Sequence, residues 1–136
     1  MSFDYLDDLF GKFRKKKTKF SEVEKSAASL LSEYASGAIQ KDDFGDQMEQ
    51  VDIDFLKLTT DEDGSIVFSQ DTPLWLNLFL GNKFRRWNQI RKVINNSRNE
   101  PNVTSTPEWG KALQVMSDED KNLKEAVRYC LKEIGK

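Results

Sequence analysis

The chain has 136 residues, with 23 acids against 21 bases, no histidine and a net charge of −2. Charged residues make up 32% and hydrophobic ones 38%, and nine Phe, three Trp and three Tyr exclude an intrinsically disordered chain. The length fits a single domain, 1–136, able to bury a core without disulfide or metal staples.

The longest apolar run, Pro73 to Gly81, contains Asn77 and falls far short of the roughly 20 residues that span a bilayer. Asp4, Asp7 and Asp8 interrupt any signal-peptide core. A lone Cys130 excludes an intrachain disulfide and suits a reducing compartment. The expectation is a cytoplasmic protein with no membrane contact.

In chain order, Ser2 can cap a first helix whose Phe3, Leu6, Phe10 and Phe13 share one face. Lys12 to Lys19 holds six bases and no acid, which suits a solvated helix end or an anionic partner. Ser21 and Glu24 read as a capping box with Phe20 as its staple, so a second helix is expected to start there. It would bury Ala27, Leu30, Leu31 and Tyr34 and end at Gly37, where a left-handed residue costs glycine no Cβ clash.

The next helix starts near Gln40 to Asp42, and Phe44, Met48, Val51 and Phe55 give its apolar stripe. Asp42, Asp46 and Glu49 gather on another face, with Asp43 alongside. Between Asp42 and Asp63 nine acids face one base, Lys57, an excess of eight negative charges in a chain that is nearly neutral. Stacked carboxylates repel by a few tenths of a kcal/mol per pair, so a ridge of this kind calls for compensation.

Asp61-Glu62-Asp63-Gly64 between β-prone residues suggests a small hairpin near Asp61–Gly64. An EF-hand register can be laid over the same residues. It puts Thr59 and Gln70 where carboxylate anchors belong, which removes most of the calcium affinity.

Thr72-Pro73 opens the most hydrophobic helix, with a stripe of Leu76, Leu80, Phe84, Trp87, Ile90 and Ile94 widened by Trp75, Leu78 and Phe79. Gly81 can kink or split it. From Thr72 to Asn99 there is no acid, and there are six bases, Lys83, Arg85, Arg86, Arg91, Lys92 and Arg98. After a polar loop with Pro101, Thr106-Pro107 opens a short helix carrying Trp109, Leu113 and Met116. Ser117 then caps a last helix lined by Leu123, Val127, Cys130 and Ile134 and ended by Gly135. The fold expected is an all-α bundle of five to six helices with one small β-hairpin.

Catalytic chemistry finds little support. Without histidine the commonest general base and metal ligand is absent. One Cys without a base beside it is no nucleophile, and the glycines are too scattered for a phosphate loop. Neither an enzyme nor a metal or organic cofactor is expected. Two binding readings remain. The acidic ridge can dock a basic protein surface, with Asp42, Asp43, Asp46, Glu49 and Asp52 as the contact set. Alternatively Lys12–Lys19 and Lys83–Arg98 can bind nucleic-acid phosphates, or simply neutralise the ridge within the fold or a dimer.

Leu30-Leu31, Tyr34, Gly37, Ile39 and the pair Asp43-Phe44 resemble the helix–turn–helix near the start of the colicin D and pyocin type of bacteriocin immunity proteins. The resemblance covers Leu30 to Val51. It implies a small cytosolic helical bundle that binds the nuclease domain of a cognate toxin and covers its basic cleft with an acidic surface. A helical adaptor or regulatory module is the alternative.

Overall fold

The computed structural model describes residues 4–60, 62–63 and 72–136, with side chains from Phe20 onward. Helix accounts for 84% of the described residues, and there is no strand among them. Helix α1 is Asp4–Ser36 and α2 is Lys41–Thr59. Helix α3 is one rod over 74–97, in which Leu74–Leu78 runs through a π-helical segment, Phe79–Lys83, into Phe84–Ser97. A single 3₁₀ turn, Val103–Ser105, precedes α4, Pro107–Ile134.

The five to six expected helices are thus four among the described residues. The two extra starts are internal to longer helices. Ser21 lies mid-way along α1, and Ser117 lies mid-way along α4. No Gly or Pro separates Gly11 from Gly37, or Gly110 from Gly135. Extending an existing helix adds one bond per residue fixed, whereas a new helix must meet the nucleation cost again. A capping-box pattern therefore does not start a helix where the preceding turn is already helical. Gly81 does not split α3 either; its turn widens to the π form, and an added Cβ there would meet nothing.

Of the hairpin expected near Asp61–Gly64 the described residues hold only one bridge residue, Thr60, and a turn at Glu62 and Asp63, with no strand. Asp61 and residues 64–71 lie outside the described residues, as do Ser2 and the side chains of the Phe3–Phe13 stripe and of Lys12–Lys19.

Two boundaries match their sequence signals. Gly37 is left-handed at φ 80, and the Ala38 amide donates to the Glu33 carbonyl at 2.8 Å while the Gly37 amide donates to that of Tyr34. This double bond closes α1 and turns the chain back into α2. At α4, Thr106 is the cap, its hydroxyl oxygen accepting from the Trp109 amide, with Pro107 in the first turn. By contrast Thr72 does not cap α3, which starts one residue later with Pro73 in the cap position.

Helix α1 packs against both α2 and α4, and α4 packs against α3. Where they meet, Trp87 is fully buried, with Phe44 6.0 Å and Phe84 5.9 Å away between ring centroids. Tyr34 stacks on Phe44 at 4.4 Å, which joins α1 to the same cluster. The expected core residues Leu31, Met48, Phe55, Leu76, Leu80 and Leu123 are all buried. Leu78 and Leu113 are exposed instead, just off the arc their helices turn inward, and so is Ile134, which shares the inward face of α4 but is its last residue.

Candidate functional site

The acidic ridge of α2 and the basic run of α3 face each other as antiparallel partners. Asp42 pairs with Arg91 at 3.1 Å and accepts from the Asn95 amide at 3.0 Å. Asp46 pairs with Arg91 at 3.0 Å. Glu49 takes the Lys92 ammonium, and Asp52 takes the Arg85 guanidinium through Nε at 2.9 Å and Nη2 at 3.0 Å. The like-charge repulsion along the ridge is thereby compensated within the fold. Four carboxylates face three cations, so one negative charge is left over.

The five carboxylates expected to bind a partner do not share one environment. Glu49 and Asp52 turn toward α3, and the Asp52 side chain is only 11% exposed. Asp42 and Asp46 remain 64% and 70% exposed, although the same guanidinium holds both. Asp43 is exposed with no hydrogen-bond or ion-pair partner among the described residues. Both contacts to Asp42 go to Oδ1, and the one contact to Asp46 also goes to Oδ1. Each outer oxygen, Oδ2, is left for solvent or a partner.

Arg91 is what makes this arrangement. It lies on the apolar stripe of α3, between Trp87 and Ile94, and its side chain is only 4% exposed. Its guanidinium sits over the Trp87 ring at 5.6 Å, and Nε and Nη2 donate to the Asn88 side-chain oxygen at 3.0 and 2.8 Å. With Asp42 and Asp46 accepting as well, each of the three guanidinium nitrogens of a buried and otherwise costly cation has a partner.

Gly45 gives Arg91 its room. A Cβ built there would stand 2.4 Å from Arg91 Nε. Helix propensity alone favours Gly45→Ala by about 1 kcal/mol. The guanidinium could yield only by leaving charge-assisted bonds worth about 1.5–3 kcal/mol each. Gly45→Ala is therefore expected to destabilise, and a thermal melt should show the midpoint falling by several degrees. A rise would mean that Arg91 is free to move.

A second polar tie lies at the same end of α2, beside Asp42. Asp120 on α4 accepts from the Trp87 indole N–H at 2.8 Å and pairs with Lys41 at 3.0 Å. Beside it, Glu119 is buried and pairs with Arg86 at 2.8 Å.

The ionisation of the ridge follows from this geometry. Asp42 is held below the ordinary carboxylate range, first by the Asn95 hydrogen bond and then by Arg91 and Lys41, against some desolvation. Burial pushes Asp52 up despite Arg85. The two act oppositely in acid: stability from Asp42 is lost as pH falls through its folded value, whereas protonating Asp52 relieves a buried charge. Elsewhere burial pushes Cys130 up to about 11, so its thiol is no nucleophile at neutral pH. Burial, with the Asp120 charge second, raises Tyr34.

The sequence places Arg91 among the bases of α3 but does not show its burial, and it singles out neither Asn88 nor Asp120. The available signals were a charge on the heptad positions of an otherwise apolar stripe and a glycine in the second turn of α2 opposite it.

Among the described residues no three Cys, Asp or Glu side chains are arranged to hold a metal ion, and no helix is long and apolar enough to cross a membrane. Neither a family model, nor a curated protein, nor a solved structure matches the chain.

Proposed function

We propose that the protein is a non-catalytic inhibitor of the immunity type, which docks the basic surface of a protein partner through Asp42, Asp43 and Asp46. The observation that supports this is the hold of Arg91 on Asp42 and Asp46. It fixes two exposed carboxylates by their inner oxygens and leaves the outer ones free beside unpaired Asp43. Carboxylates fixed in advance lose little side-chain entropy on binding, and a clustered negative edge speeds association with a basic partner. Glu49 and Asp52 drop out of the contact set, because α3 already occupies them. The partner class, a bacterial toxin domain of nuclease type, comes from the resemblance over Leu30 to Val51.

The basic run Lys83–Arg98 is a poorer ligand for phosphates than its composition suggests, since Arg85, Arg91 and Lys92 are committed to α2. The second reading, a helical adaptor, is favoured by one feature. Leu74, Leu78 and Tyr129 form an exposed apolar strip where α3 begins beside α4.

The test is capture of the partner from the source cell, followed by stopped-flow association of the purified pair. Asp43→Lys, and separately Asp46→Asn, should slow association by about tenfold at low salt, and added salt should shrink the difference. Equal rates for wild type and both variants would remove the acidic edge from the interface.

A further inference from the structure

Six of the described cations, Lys41, Arg85, Arg86, Arg91, Lys92 and Lys136, sit in ion pairs. Four of those that do not, Lys121, Lys124, Arg128 and Lys132, are all on α4 and all exposed. Helical periodicity puts them in one narrow row, opposite the buried Leu123, Val127 and Cys130. At 1.5 Å per residue the row is about 16 Å long. None of the four has a carboxylate within ion-pair distance, although Glu125 flanks the row. The chain as a whole is negative, so these cations are a segregated feature and not a sample of a basic surface.

Beside the row runs a groove of about 460 Å³ between the π-helical turn of α3 and α4. Its lining includes Asn82, Asn122, Lys83 and Tyr129, which is 43% exposed, and one acid, Glu125, between the row and the ring. A cationic row tracks a phosphate backbone, an exposed aromatic face stacks a base, and side-chain amides meet base edges. An acidic peptide would use the cations but has no use for the aromatic face. An anionic membrane, being flat, can meet the row but does not enter the groove that Tyr129 lines.

We infer that this face of α4 binds single-stranded nucleic acid without sequence preference, with Lys121, Lys124, Arg128 and Lys132 on successive phosphates and Tyr129 under a base. It lies on different residues from the acidic edge of α2 and stands whether or not that edge binds a protein.

The experiment is fluorescence anisotropy of a short labelled oligothymidylate titrated with the full chain at low salt. Saturable binding with a Kd of about 10⁻⁵ M is expected, weakening linearly in log salt. Lys124→Glu with Arg128→Glu should weaken it by about tenfold or more and flatten the salt slope by roughly 1.4, two contacts at about 0.7 each. Tyr129→Ala should cost about tenfold by loss of stacking. The control pair Lys57→Glu with Arg98→Glu, both exposed and away from the groove, changes net charge equally and should leave affinity within about twofold. All substituted side chains are exposed, and thermal melts will show the variants folded. No binding at low salt overturns the inference, as does equal loss in the control pair. Binding of oligoglutamate or phosphatidylserine vesicles as tight as that of the oligonucleotide, or indifference to Tyr129→Ala, overturns it too.

Discussion

Phe44→Ala is expected to lower the unfolding free energy by about 3–5 kcal/mol, the range for a fully buried aromatic truncated in a packed core. Phe44 is the place where three helices meet: its ring stacks on Tyr34 of α1 and meets Phe84 and Trp87 of α3 edge-on. Truncation opens a cavity lined by rings that cannot collapse into it, because Trp87 is also tethered to Asp120. For a domain whose total stability is about 5–15 kcal/mol, this is a large share. Urea denaturation should show the midpoint moving well down with an unchanged slope. A loss under about 1 kcal/mol would mean that Phe44 is not in the shared core.

Arg91→Ala is expected to cost about 3 kcal/mol. Asp42 and Asp46 can turn to water, so their loss is limited to the bonds themselves. Asn88 is buried and loses the two donors its oxygen accepts from, which adds a desolvation penalty. The guanidinium also leaves an empty space over Trp87. Arg91→Lys restores charge but not the planar fork, so it should recover only part of the loss. Denaturant titration of the three proteins orders them, and a Lys variant as stable as wild type would show that charge alone suffices. The same dependence confounds a charge reversal of Asp42, Asp46 and Glu49 together. It would strand Arg91 and Lys92 against lysines, and lost binding would then report a damaged fold.

What could be read from the sequence was whatever depends on local periodicity. Stripes such as Phe44–Met48–Val51–Phe55 and Leu76–Leu80–Phe84–Trp87 fixed both the fold class and most of the core. Gly37 and Thr106 marked real helix ends because their signals coincide with a break in the stripe. Ser21 and Ser117 misled because a cap residue carries no information about whether the chain before it is already helical. The acidic ridge of α2 was visible too, but not its division. Which acids face α3 depends on the antiparallel register of two helices some 40 residues apart, and that register is set by core packing rather than by any local pattern. The sequence did hold two traces of it: Arg91 interrupting an apolar stripe, and Gly45 in the second turn of α2 where alanine would favour the helix.

The acidic segment is divided: Asp52 in an inner row is closed against α3, and Asp43 on an outer edge is exposed. The most direct measurement is the melting temperature of Asp52→Lys beside that of Asp43→Lys, followed by circular dichroism. In the first, a lysine would stand against Arg85 in a nearly closed site, and a loss of about 3 kcal/mol is expected. In the second, an exposed carboxylate in the first turn of α2 is replaced, and only the favourable interaction with the helix dipole, about 0.3–1 kcal/mol, is lost. The melting temperature should fall by many degrees for Asp52→Lys and by a few at most for Asp43→Lys. Equal shifts, or a wild-type midpoint for Asp52→Lys, would contradict that division.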